Sequence, residues 1–179
     1  VRFLIPIVSV INGIIEMVKH KILPIPHANV DEVLGLADAL YAYRGKAKLS
    51  FLADELQIEI DDLGEAVDMA KLLGMLRVKS GTLMLSLFGE ALSIGNTDNK
   101  KKILREKMVK VEPFKTIVQL LRKSGGQMQK DDLFEALSKK FIIEDKESFF
   151  KIILGWGNYT ESFEYDSDEG VFSLSKSLL

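Results

Sequence analysis

The sequence contains no cysteine, only two histidines, one tryptophan and four prolines, and its 24 Lys and Arg nearly balance its 26 Asp and Glu. Without cysteine there is no thiol nucleophile, no disulfide framework and no cysteine metal cage, and the composition fits a reducing, cytoplasmic setting. A net charge of −2 gives no overall field toward nucleic acid or an anionic membrane, so any charge-driven binding is local. The phosphate-binding loop of Walker type, the nucleophile elbow and the paired-histidine zinc motif are all missing, so no catalytic residue, cofactor site or metal site is assigned and the chain is read as non-enzymatic. Gly155-Trp156-Gly157 ends an expected helix instead of joining a strand to one, so it does not cradle a dinucleotide. His27, between Pro26 and Ala28, reads as a turn or capping residue.

Long hydrophobic runs are also scarce. The longest, Phe3 to Ile15, is interrupted by Pro6, Ser9, Asn12 and Gly13 and falls short of the roughly 20 apolar residues a membrane helix needs. Residues 1–24 are therefore expected to form an apolar helical arm that packs on a core or a partner, with Lys19, His20 and Lys21 at its basic end and Pro24 and Pro26 beyond it.

What is present is an ordinary globular composition, 47% hydrophobic and 28% charged over 179 residues, enough for two small domains. An internal repeat is visible in the spacing. Leu40, Gly45, Leu52 and Leu56 recur 81 residues later as Leu121, Gly126, Leu133 and Leu137. A two-residue insertion then shifts the offset to 83, pairing Asp62 with Asp145, Val67 with Phe150, Ala70 with Ile153 and Gly74 with Gly157. A final offset of 89 pairs Leu76 with Tyr165, Gly81 with Gly170, Leu83 with Phe172 and Leu85 with Leu174.

Each copy reads as three helices and a hairpin. In the first, Asn29 caps a helix to about Tyr43 with Val30, Val33, Leu34, Ala37 and Leu40 on one face; a short helix covers Ser50 to Leu56, and a third runs from about Asp61 to a stop at Gly74. Leu76–Val78 and Thr82–Leu85 then alternate around Lys79-Ser80-Gly81. Asn96 or Thr97 caps a linking helix, and the second copy has helices near 114–123, 130–140 and 146–156 and a hairpin of Ser162–Tyr165 and Val171–Leu174. The expected fold is mainly α with small β-hairpin wings, an α+β tandem winged-helix arrangement: arm 1–24, first winged-helix domain 25–96, linking helix and second winged-helix domain 97–179.

Winged helices commonly lay a third helix in the major groove, and here charge opposes that use. The third helix of the first copy carries Asp61, Asp62, Glu65 and Asp68 against Lys71 alone, and the second wing carries Glu161, Glu164, Asp166, Asp168 and Glu169. Concentrated positive charge occurs only on the linking helix, where Lys100, Lys101, Lys102, Arg105, Lys107 and Lys110 form either a solvated face or a contact for an acidic surface or lipid headgroups. Of the aromatics near the second wing, Trp156 and Phe172 read as core, while Tyr159 and Tyr165 stand as candidate contact residues.

Several short segments, taken in order, resemble a known family. They are Leu23-Pro24 with Pro26-His27 running into Val30-Asp31-Glu32, then Gly35-Leu36; Asp61-Asp62-Leu63 leading to Leu72-Leu73-Gly74; Leu85-Ser86-Leu87-Phe88-Gly89, where the family usually has a Thr-containing version; and Trp156-Gly157-Asn158-Tyr159 followed by Phe163-Glu164-Tyr165-Asp166. Over about residues 24–175 the chain resembles the AAA-associated C-terminal domain found behind the ATPase domain of nitrate/sulfonate/taurine-type ABC importer subunits. The resemblance implies an accessory or regulatory module of an ABC transporter ATPase, cytoplasmic and peripheral to the membrane through that complex, and transfers no catalytic residue. The sequence starts at Val1 and contains no ATPase domain. With the ATPase on the same chain the module acts in cis; otherwise the apolar arm docks on a partner ATPase or pairs two copies as a homodimer. The other two readings are a winged-helix DNA-binding transcriptional regulator, using the basic linking helix or Arg77 and Lys79, and a small-ligand sensor with a pocket between the repeats.

Overall fold

The computed structural model describes Lys21–Ile22 and residues 25–179; Lys21–Ile22, expected within a helical arm, form a strand instead because Phe141–Ile142 pair with them, and the rest of the expected arm lies outside the described residues. Among the described residues the protein is mainly helical, with two small antiparallel sheets. In chain order the elements are β1 (Lys21–Ile22), α1 (Val30–Ala42), β2 (Lys46–Lys48), α2 (Leu49–Leu56), α3 (Ile60–Leu72), β3 (Leu76–Lys79), β4 (Thr82–Leu85) and α4 (Leu87–Ile94). Then follow α5 (Thr97–Met108), α6 (Phe114–Lys123), β5 (Gln127–Gln129), α7 (Lys130–Ser138), β6 (Phe141–Ile142), α8 (Lys146–Tyr159), β7 (Phe163–Asp166) and β8 (Val171–Leu174), with a closing 3-10 turn at Lys176–Leu178.

Local chemistry explains the boundaries. The Asn29 side chain accepts from the Glu32 N–H at 3.0 Å while the Glu32 carboxylate accepts from the Asn29 N–H at 2.8 Å, a reciprocal cap that occupies donors left over at the start of α1. Asn96 caps α5 by accepting from the Asn99 N–H, and Asp145 caps α8 by accepting from the N–H groups of Glu147 and Ser148. Val30, Val33, Leu34, Ala37 and Leu40 of α1 are buried as their spacing predicts, and so is Leu36. The wider stripe follows from packing on several sides, since α1 meets α3 and α4 and also α8 from the far half of the chain.

The first sheet has the order β2-β4-β3 and the second β5-β8-β7, both antiparallel; β1 pairs in parallel with β6. The two sheets are registered alike: Ala47 faces Leu83 across β2 and β4, and Met128 faces Phe172 across β5 and β8. Five hydrogen bonds recur in both halves. Gly45 N–H donates to Leu40 O as Gly126 N–H does to Leu121 O; Leu85 to Gly45 as Leu174 to Gly126; Leu49 to Gly81 as Lys130 to Gly170; Met75 to Ala70 as Ser162 to Gly157; and Ser86 to Met75 as Ser175 to Ser162.

These bonds keep the offsets of 81 and 89 for the residues they join but correct the middle of the sequence alignment. The stretch from Leu137 to Glu147 is six residues longer than that from Leu56 to Ile60, not two, so α3 and β3 match α8 and β7 in hydrogen bonding at an offset of 87. Gly74 therefore corresponds to Glu161, not Gly157, and Leu76 to Phe163, not Tyr165. Both Gly74 and Glu161 sit in the left-handed region just past a helix, at φ 75° and 53°. Gly157 lies inside α8 instead, where a Cβ would stand 2.2 Å from the Phe163 ring and only glycine fits.

The short helix α4 was not expected. Ser86 holds it: its hydroxyl accepts from the Gly89 N–H at 3.1 Å and lies 2.8 Å from the Gly74 carbonyl oxygen, to which it donates. Gly89 lets the helix close on the chain, since a Cβ there would lie 2.2 Å from the Met75 carbonyl oxygen. The buried side chains form one cluster through both halves, including Leu40, Leu52 and Leu83 in the first and Phe114, Trp156 and Phe172 in the second.

Candidate interaction surface

The basic run on α5 does not form a single open patch. Lys100 turns toward α1 and lies 3.5 Å from the Asp38 carboxylate. Lys101 pairs with Glu161 at 2.6 Å, and Arg105 reaches the same carboxylate at 3.2 Å while donating to the Thr160 carbonyl at 2.6 Å and the Ser177 hydroxyl at 3.0 Å. Lys107 stands 4.9 Å over the Phe88 ring, and Lys102 and Lys110 are exposed. Three of the six expected contact residues thus fasten α5 to its neighbours, with Lys100 serving the first half and Lys101 and Arg105 the second. Lys101 and then Arg105 hold the Glu161 carboxyl below the usual carboxylate range, and the bond to Glu161 raises the Lys101 ammonium.

Tyr165 is half-buried in an aromatic cluster, 5.1 Å edge-on from the Phe150 ring and 4.9 Å from Phe172. Tyr159, also half-buried, sits at the α8 end near Asp31 and Lys101; burial first and then Asp31 push its hydroxyl above the usual phenol value. Trp156 and Phe172 are fully buried. His27 is exposed, and its backbone N–H donates to Glu65 at 2.7 Å.

The acidic groups lie outward. Asp61, Asp62, Glu65 and Asp68 of α3 are exposed, as are Glu164, Asp166, Asp168 and Glu169 of the second hairpin. Asp166 closes the hairpin turn by accepting from the N–H groups of Asp168 and Glu169. Among the described residues no group of three or more His, Asp or Glu side chains is placed to hold a metal ion. No helix among them is long and apolar enough to cross a membrane.

Less visible in the sequence is the corner between α2 and α3. Every residue from Asp54 to Asp62 is exposed, and the stretch alternates carboxylates with Leu56, Ile58 and Ile60. Beside it Phe51 meets Tyr43 edge-on at 5.0 Å. Burial first and then Glu55 raise the Tyr43 hydroxyl. Aliphatic side chains that face water inside an acidic segment were the available signal, but their spacing at every second residue is that of a half-buried strand.

A family model for the C-terminal AAA-associated domain matches residues 51–166, and the chain belongs to this family. The match begins in α2 and ends with β7, so it spans elements of both halves but is shorter than the 24–175 expected from the motifs. The family's description associates it with AAA-type ATPases. No curated protein and no solved structure matches the chain.

Proposed function

We propose that this chain is a non-catalytic regulatory module that binds an ABC-type transporter ATPase, in cis or in trans, at the cytoplasmic face of the membrane. The observation that carries the reading is the family match across residues 51–166. The module consists of two winged-helix units arising from one duplicated unit, with α5 between them. The five recurring hydrogen bonds and the matching order of β2-β4-β3 and β5-β8-β7 support the duplication.

Surface charge supports a protein partner over DNA. The helix that would enter a groove, α3, carries Asp61, Asp62, Glu65 and Asp68 against Lys71 alone and so repels phosphate. The cations of α5 that a DNA reading requires are partly spent on Asp38 and Glu161. The test is co-purification of the 179-residue chain with a nitrate/sulfonate-type ATPase subunit, alongside titration with mixed-sequence duplex DNA at low and high salt. Capture of the ATPase, or a change in its ATP hydrolysis rate, with no low-salt DNA binding is the expected result. Salt-sensitive DNA binding without ATPase capture reverses the assignment to the transcriptional regulator.

A further inference from the structure

We propose that the α2–α3 corner is a docking surface for a protein segment that presents Lys or Arg around two or more aliphatic side chains. The proposal rests on the reading of the chain as a protein-interaction module and specifies the chemistry of what it binds. Phe51, Ile58 and Ile60 are 42%, 42% and 51% exposed, and Leu56 is 37% exposed. A single exposed aliphatic is unremarkable, but Ile58 and Ile60 line one depression with Ala53, Asp54, Gln57 and Glu59, an apolar floor that gains by being covered, and exposed Phe51 and Leu56 lie close to it in the chain.

Charge selects what covers it. Asp54, Glu59, Asp61 and Asp62 enter no ion pair among the described residues, whereas Asp68 is paired with Lys71. An apolar floor with an unneutralised anionic rim repels phosphate backbones and anionic lipid surfaces and attracts a cationic amphipathic segment. The chain also contains a precedent for such coverage. At the matching place in the second half, the stretch from Leu137 to Glu147 is six residues longer and includes β6, and β6 is paired by the backbone of Lys21–Ile22. That second corner is electrically mixed, with Lys139, Lys140 and Lys146 beside Glu144 and Asp145, and it is occupied. The first corner has the stronger charge and no strand of this chain across it among the described residues.

The test uses the whole 179-residue chain and three labelled peptides in amphipathic order: Lys with Leu, Lys with Ser, and Glu with Leu. Fluorescence anisotropy is expected to show binding of the Lys/Leu peptide alone. Ile58→Ser with Ile60→Ser weakens it by about tenfold or more, equivalent to roughly 1.4 kcal/mol. Asp54→Asn with Glu59→Gln weakens it and flattens its salt dependence. Glu164→Gln with Glu169→Gln, an equal loss of charge on the second hairpin, leaves it unchanged. All substituted side chains are exposed, and melting curves establish that each variant is folded. Equal binding of the Lys/Ser peptide, equal loss in the hairpin variant or no loss in the corner variants overturns the proposal. An ATPase that still co-purifies fully with the Ile58→Ser, Ile60→Ser variant also overturns it, while leaving the function reading intact.

Discussion

Trp156 Nε1 donates to the Ala28 carbonyl at 3.1 Å, joining two residues 128 positions apart in a fully buried contact. The bond ties the turn before α1 to the last turn of α8, so the two halves share a polar contact inside their common core.

Trp156→Phe keeps most of the ring volume and strands the Ala28 carbonyl in the core. The expected loss is about 1–3 kcal/mol of unfolding free energy. Trp156→Ala adds a cavity and loses roughly 3–5 kcal/mol. Urea unfolding followed by circular dichroism measures both, and a Trp156→Phe variant as stable as the parent contradicts the role given to this bond.

The helices and hairpins that obey local rules were legible in the sequence. Asn29 and the spacing of Val30, Val33, Ala37 and Leu40 sufficed for α1, because a cap and a buried stripe are properties of neighbours in the chain. The strands Lys46–Lys48 and Gln127–Gln129 were not legible: their outer residues are polar and exposed, and only pairing to β4 and β8 makes them strands. The same limit explains the shifted alignment at Gly74, where matching glycine to glycine hid the fact that Glu161 takes the left-handed turn. Lysines on α5 announced positive charge, but their carboxylate partners Asp38 and Glu161 lie far away in sequence. The exposed side of Ile58 and Ile60 was illegible for the opposite reason, since an aliphatic residue carries no mark of which way it faces.

Two glycines of one helix should respond with opposite sign. Gly155 has open space around the position of a Cβ, so Gly155→Ala stabilises α8 by roughly 0.5–1 kcal/mol. Gly157→Ala forces a methyl group against Phe163 and costs about 1–3 kcal/mol through displaced packing. Thermal denaturation of the two variants against the parent reads the difference directly.

Glu161 makes acid stability testable. Its folded-state pKa is lowered by Lys101 and then Arg105, so the contribution is present above the unfolded value of about 4.3 and disappears as pH falls through the lower folded value. Glu161→Gln should therefore melt below the parent at pH 7, with the gap narrowing once the pH drops under about 4. Added salt should also narrow it at neutral pH. Melting curves from pH 7 to pH 2 decide the matter; a gap that is constant throughout would show that the carboxylate charge plays no part.

Ser86 caps α4 and bonds the turn after α3 with the same hydroxyl. Ser86→Ala should cost about 0.5–2 kcal/mol, and Ser86→Thr, which keeps the hydroxyl, should lose less. Amide hydrogen exchange gives a local check: the Gly89 N–H should exchange faster in the alanine variant than in the threonine one.

The parallel pairing of β1 with β6 has a consequence for the order of events during synthesis. Lys21–Ile22 leave the ribosome well before Phe141–Ile142 exist, and the Ala28 carbonyl meets its indole partner only after 128 further residues. At about 5–20 residues per second that interval is roughly 6–25 s. Once Leu85 has been made, β2, β3 and β4 are complete and able to pair, while the bonds of Lys21–Ile22 to β6 have yet to form. Lys21–Ile22 thus wait for a strand of the far half, long after the first antiparallel sheet has all its residues.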